Sequence, residues 1–319
     1  MVYRKIEKVV ISGATSSIGV ALIDECIKRN VFVLALVNPK SKNISKIPIH
    51  KNVMIRRCDL NDIKNYDMCE NDYDAFFHLA WSSTHGDKER NNLQEHLSNI
   101  QYSLDAVDLS ERLGCKVFIG AGSQAEYGRT EETMNENTRC NPETPYGIAK
   151  YCAGKMTRIA CQNKQINHIW TRILSSFGPK NINNTVIDYT INELLNNRKP
   201  LLSDGKQIWD FIYSGDVANA LYLLSEKGHS GDVYVIGSGH SEPLRDYLVK
   251  IKNIINPNME LGFGEKSHND NAVMHLSCDI TKLKMDTGFE IKTSFDDGVK
   301  KTVEWIQNKI KIGDCYGDK

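Results

Sequence analysis

A short apolar run at residues 9–12 ends on Gly13, and the next six positions, Ala-Thr-Ser-Ser-Ile-Gly, bring the chain to a second glycine, Gly19. Val-Val-Ile has the β-branched character of a buried strand. A glycine directly after it permits the tight turn from which a helix starts at once. A strand that feeds a helix this abruptly returns over its own sheet by a right-handed crossover, so its neighbours are parallel and helices cover both faces.

The rest of the first half repeats the theme. Apolar runs at 32–37, 53–57, 75–80, 116–121 and 168–174 read as strands, and helical patterns occupy 17–29, 87–113 and 142–162. The alternation predicts an α/β fold, a Rossmann-type doubly wound parallel sheet. Beyond 174 the regularity falls away. Helices are expected over 184–197, 214–226, 243–254 and 295–309, with one further strand at 232–236. No linker or repeat separates the halves, so a smaller substrate lobe is expected to interleave with the sheet. Residues 1–174, with 207–238 returning, would form the dinucleotide-binding domain, and 175–206 and 239–319 mainly the lobe. A chain of 319 residues, 40% hydrophobic, is long enough to bury both cores.

Composition narrows the partners. Forty basic and forty acidic residues leave no formal net charge, hence no footprint for nucleic acid or an anionic membrane. No apolar run reaches bilayer length, and the start MVYRKIEK runs into a strand, not a signal-peptide core. The nine cysteines are scattered without a CxxC pair, which favours reduced thiols in a cytoplasmic protein and no metal site.

At the phosphate loop, exposed amides and the helix dipole favour a pyrophosphate, which makes Gly13, Thr15, Ser16, Ser17, Ile18 and Gly19 candidate cofactor contacts. The candidate chemistry lies further on. Tyr146 and Lys150 are four apart on a helical segment and share a face. A free phenol titrates near 10, too high to shuttle protons at neutrality, and a nearby ammonium favours its ionised form. Ser123, at the end of the fifth strand, faces the crevice where a doubly wound sheet takes its ligand. Its hydroxyl can hold the reacting oxygen. Ser123, Tyr146 and Lys150 therefore form the candidate catalytic set.

The chain resembles the extended short-chain dehydrogenases/reductases, in their sugar-nucleotide epimerase/dehydratase branch. The phosphate loop is similar to TGxxGxxG, with Ser16 at the middle glycine. The catalytic serine stands four residues before the tyrosine of a YG pair, here Tyr127-Gly128, and Tyr146–Lys150 matches YxxxK. The similarity continues through RILSSFGP at 172–179 and GKQIWDFIY at 205–213, and so spans nearly the whole chain.

The resemblance implies NAD(P) as cofactor, with Asp59 and Leu60 beside the adenine and Leu79, Ala80 and Trp81 beside the cofactor at the fourth strand. It implies that Asn99 positions a water near Lys150. Asn38 stands where NAD enzymes offer a ribose-binding carboxylate, and Lys40 and Lys42 follow, which tilts the expectation toward NADP. The substrate implied is a nucleoside diphosphate sugar, with Trp81, Ser123, Ser175 and Trp209 as candidate contacts. Ser175 and Trp209 replace an Asn and an Arg that relatives use on the nucleotide. Homodimers pairing the segments 87–113 and 142–162 are a further implication.

Dehydratases of this branch carry carboxylates where this chain has Gln124 and Ala125, which disfavours dehydration. Hydride transfer at a sugar carbon remains. Ser16 and the missing ribose carboxylate suggest an exchangeable cofactor, so net 4-keto reduction is the first expectation. A 4-epimerase with retained NAD, a reductase of a small carbonyl compound and a non-catalytic dinucleotide sensor are the alternatives.

Overall fold

The computed structural model describes residues 3–67, 72–84, 86–180, 185–267 and 272–311. Its first half runs β1 (Lys8–Ser12), α1 (Ser17–Lys28), β2 (Phe32–Val37), β3 (Val53–Arg57), β4 (Ala75–His78), α2 (Asp87–Arg90), α3 (Leu93–Arg112), β5 (Val117–Ser123), α4 (Pro145–Asn163) and β6 (Asn167–Ile173). There follow β7 (Ser175–Phe177), α5 (Val186–Leu195), β8 (Leu201–Leu202), β9 (Ile208–Trp209), β10 (Phe211–Tyr213), α6 (Ser214–Lys227) and β11 (Val233–Ile236). The chain closes with β12 (Glu242–Pro243), α7 (Leu244–Ile255), β13 (Gly262–Phe263), β14 (His275–Leu276), α8 (Thr281–Thr287) and α9 (Phe295–Lys311).

Seven strands form one parallel sheet in the order β3-β2-β1-β4-β5-β6-β11. This is the doubly wound arrangement, with its reversal between β1 and β4. The pleat sends alternate residues to opposite cores. Val9 and Ile11 join the core that holds α1 and α6, and Val10 joins the one under α3 and α4. Burial on both faces is why these strands read as continuous apolar runs.

Element ends depart from the sequence expectation for local reasons. β4 stops at His78 because Leu79 and Ala80 leave the ladder and direct their amides at Ser12, to its carbonyl (3.2 Å) and hydroxyl (3.4 Å). The single helix expected over 87–113 is two, because Asn92 caps α3 by accepting from the Glu95 amide at 3.2 Å. α4 begins later than expected, at Pro145, with Thr144 as its cap, so Tyr146 lies in its first turn.

The smaller lobe gathers round Phe177, Phe211, Tyr247 and Phe295, whose rings pack at 4.6–6.3 Å. Two stretches pack otherwise than expected. Phe211, from 207–238, packs in the lobe core, and Leu276, Cys278, Ile280, Leu283 and Phe289, from 239–319, pack in the core of the sheet. Among the described residues no helix is long and apolar enough to cross a membrane.

Candidate active site

A cavity of about 580 Å³ opens at the C-terminal ends of β1, β2, β3 and β4. Gly13, Thr15, Ser16, Ser17 and Ile18 line it from the phosphate loop, Asn38, Asp59 and Leu60 from the far end, and Leu79, Ala80 and Trp81 from the end of β4. The loop is compact because of its glycines. Gly13 has φ +73°, and a Cβ there would lie 2.6 Å from the Ala80 nitrogen. A Cβ on Gly19 would lie 2.3 Å from the Gly13 carbonyl oxygen, so Gly19 supports the loop from behind instead of lining the cavity.

Ser16, in place of the middle glycine, caps α1: its hydroxyl accepts from the Gly19 amide at 3.0 Å. The hydroxyl is turned back on the helix, although Ser16 still lines the cavity. A dinucleotide fits this donor set, with loop amides at a helix N-terminus for the pyrophosphate and polar groups at the far end for the ribose.

The far end differs from the sequence reading. Lys42 is exposed and does not line the cavity, whereas Lys46 does, because a single helical turn at Ile44–Lys46 brings it round. The Asn38 amide donates to the Asp59 carboxylate at 3.0 Å. A carboxylate therefore stands at this end after all, delivered from beyond β3.

The three candidate catalytic residues come together at the end of β5. Ser123 is buried, and its hydroxyl accepts from the Ala125 amide at 3.2 Å, which leaves its proton for another acceptor. Hydrogen bonding from Ser123 favours ionisation of the Tyr146 phenol, but burial outweighs it and raises the Tyr146 pKa. Lys150 is also buried, and burial pushes its ammonium down to about 7. Its Nζ donates to the Ala121 carbonyl at 2.7 Å and lies 3.7 Å from the centre of the Trp81 ring, against 5.9 Å from that of Tyr146. The phenol and the ammonium share a face as the spacing requires, yet the ammonium leans on Trp81.

Three neighbours escape the motifs. Glu126, fully buried, accepts from the Ser123 amide (2.9 Å), the Trp170 indole (3.0 Å) and the Arg172 guanidinium (2.9 Å), and so fixes the backbone under Ser123. Glu126 lies one place beyond the positions where dehydratases of this branch carry carboxylates, and these bonds aim it away from the cavity, whose lining it does not join. Arg90 stacks on the Tyr146 ring at 4.5 Å, and His96 packs edge-on to it at 5.7 Å. The Glu126 offset is visible in the sequence; Arg90 and His96 carry no spacing signal.

Other expectations move. Asn99 is buried and grips the Ser82 backbone through both amide atoms, at 2.9 and 3.0 Å, so its polar atoms serve the loop after β4. Ser175 and Trp209 pair with each other, the indole donating to the hydroxyl at 2.7 Å, and neither lines the large cavity. His78 is a packed strand residue, bonded to Ser12 at 2.9 Å and held neutral by burial, with a pKa of about 3. Among the described residues one group, His229, Asp232 and Asp286, has metal-ligand spacing, and Lys282 already stands 2.9 Å from both acids.

Ser123, Tyr146 and Lys150 do not line the cavity themselves; they adjoin it through Ala121 and Trp81, which do. A dinucleotide cavity beside such a set marks an enzyme of the extended short-chain dehydrogenase type. The chain belongs to the NAD dependent epimerase/dehydratase family, whose model matches residues 9–237. It is 25% identical to a putative UDP-glucose 4-epimerase of Methanocaldococcus jannaschii, over 94% of this chain and 98% of that one. The fold is similar to that of UDP-N-acetylglucosamine 4-epimerase from Methanobrevibacter ruminantium in complex with UDP-N-acetylmuramic acid, with TM-score 0.86, 24% identity and coverage of 96% and 100%. It is similar also to UDP-glucuronic acid 4-epimerase from Bacillus cereus in complex with UDP-glucuronic acid and NAD, with TM-score 0.81, 20% identity and coverage of 94% and 99%.

Proposed function

We propose that the chain is a 4-epimerase of a nucleoside diphosphate sugar, with a uridine nucleotide as first candidate and NAD held through the cycle. The observation that carries this reading is the Ser123–Tyr146 pair next to Trp81, which lines the dinucleotide cavity, on a chain with Gln124 and Ala125 where elimination needs carboxylates. The end-to-end similarity to 4-epimerases supports it over net 4-keto reduction. The case for reduction rested on a loosened cofactor, and Ser16 as a helix cap removes half of that premise. The Asn38–Asp59 pair supports NAD over NADP, because a carboxylate there would repel a 2′-phosphate.

Bound NAD supplies the acceptor and donor of hydride at the sugar carbon. Tyr146 takes the proton of the reacting hydroxyl and returns it on reversal. Ser123 donates to the same oxygen and so stabilises the charge it gains. Lys150 holds a second proton within reach and, when charged, favours the phenolate. The lobe around Trp209 and Ser175 takes the nucleotide end.

A homodimer is part of the proposal. Leu93 and Leu97 on α3 and Ile148, Met156 and Ile159 on α4 form an exposed apolar stripe, at helical spacing, on two helices that pack together. Light scattering of Leu97→Glu/Ile159→Glu should give half the mass of the parent.

The functional test purifies the protein without added cofactor, assays the denatured supernatant for NAD, and follows uridine diphosphate sugars by NMR. Stoichiometric NAD and interconversion of C4 epimers without net cofactor use are expected. An empty site, with NADPH consumed only when a 4-keto sugar nucleotide is supplied, would restore the reductase.

A further inference from the structure

Tyr146 carries on its ring a cation that belongs to none of the motifs. The guanidinium carbon of Arg90, the last residue of α2, stands 4.5 Å from the ring centre. The position is built. His96, buried on α3, accepts the Trp81 indole proton on Nδ1 at 3.3 Å, so its Nε2 is the protonated nitrogen and donates to the Arg90 carbonyl at 3.0 Å. One imidazole thereby ties the end of β4, the α2 turn and the Tyr146 ring together. Lys150, the cation that spacing assigns to the phenol, is engaged by the Ala121 carbonyl and the Trp81 face.

We propose that Arg90 is the standing electrostatic partner of Tyr146, a positioning residue whose fixed charge stabilises the phenolate, with His96 holding it in place. The inference rests on Tyr146 as the acid/base group. Two cations in one site divide the task by their chemistry. A guanidinium keeps its charge at every working pH, whereas an ammonium brought down to about 7 loses it across neutrality. The groups that face the phenol are then accounted for. Ser123 and Arg90 favour its ionised form, while burial and the charge of Glu126 oppose it. Burial keeps the His96 ring neutral, and Lys150 adds its charge only on the acid side. Attraction between a cation and a ring strengthens greatly once that ring carries negative charge, so Arg90 acts on the phenolate more than on the phenol.

The test reads the phenol directly and needs no substrate. A fluorinated tyrosine that titrates near neutrality is placed at position 146 alone, and its 19F resonance is followed against pH. Arg90→Gln is expected to raise the midpoint by about one pKa unit, and Arg90→Lys to recover part of that shift. His96→Ala, which frees the arginine without removing it, is expected to move the midpoint in the same direction by less. A midpoint unmoved in Arg90→Gln would overturn the proposal. That includes the case in which the variant only raises KM for a sugar nucleotide bearing a carboxylate, which would make Arg90 a substrate anchor. The epimerase reading fails separately, if the midpoint shifts as stated and no C4 epimers interconvert.

Discussion

The sheet domain and the smaller lobe use one chain in two ways. In the sheet, strands of four to seven residues pair in parallel register, and the ends of β1 to β5 supply the residues of the candidate site. In the lobe, β8, β9, β12 and β13 have two residues each, and what holds them is an aromatic cluster drawn from 177, 211, 247 and 295. Chemistry that needs fixed angles stands on the first kind of structure. On the proposed function, substrate recognition falls to the second, where pairings are short and side chains carry the cohesion. Damage to the sheet side should therefore cost stability and geometry together, and damage to the lobe should spare the dinucleotide.

The largest effect expected is at Glu126. Glu126→Gln removes a buried charge and strands Arg172, which should cost about 4 kcal/mol in urea unfolding and loosen Ser123 as well. A loss under about 1 kcal/mol would mean that the network is not what fixes this corner. Phe295→Ala sharpens the other side. Opening the aromatic cluster should cost about 3 kcal/mol and raise KM, while NAD affinity measured by fluorescence stays as in the parent. Weaker NAD binding in that variant would blur the division between the two regions.

Lys150→Met has a pH signature. The folded ammonium titrates near 7, well below its ordinary 10.5, so the unfolded chain holds the proton more tightly. The resulting penalty is absent above about 10.5, grows as pH falls, and is complete below about 7. Lys150→Met should thus unfold at higher denaturant than the parent, by about 2 kcal/mol at pH 6, with the gap closing toward pH 10. A gap that widened at high pH would reverse the assignment. The smallest effect is at Ser16. Ser16→Gly should weaken α1 by only a few tenths of a kcal/mol and leave NAD affinity within about threefold, since the serine acts as a helix cap.

This division also marks what is legible in the sequence. The phosphate loop, the doubly wound parallel sheet and the nearness of Ser123, Tyr146 and Lys150 to one another are readable because each lies at a strand end or on one helix face, where period and position coincide. The Asn38–Asp59 bond is not, because it joins the end of β2 to the end of β3, and neighbouring lysines misdirect the eye. Asn99 is placed correctly on its helix, yet its polar atoms hold Ser82. The lobe's strands escape since two residues have no period. Ser175 and Trp209 are singled out by the sequence as separate departures; that they are partners appears only in three dimensions. Arg90 and His96 escape for the same reason, because what matters about them is which ring they meet.

The central claim is that Tyr146 moves the proton in a reaction that spends no net cofactor. The direct test is the rate at which the parent and Tyr146→Phe interconvert C4 epimers of a uridine diphosphate sugar, followed by NMR with bound NAD quantified in the same samples. The account expects the variant to retain its NAD and to lose turnover by a factor of about a hundred or more. Turnover equal to the parent's, with NAD still in place, would contradict it.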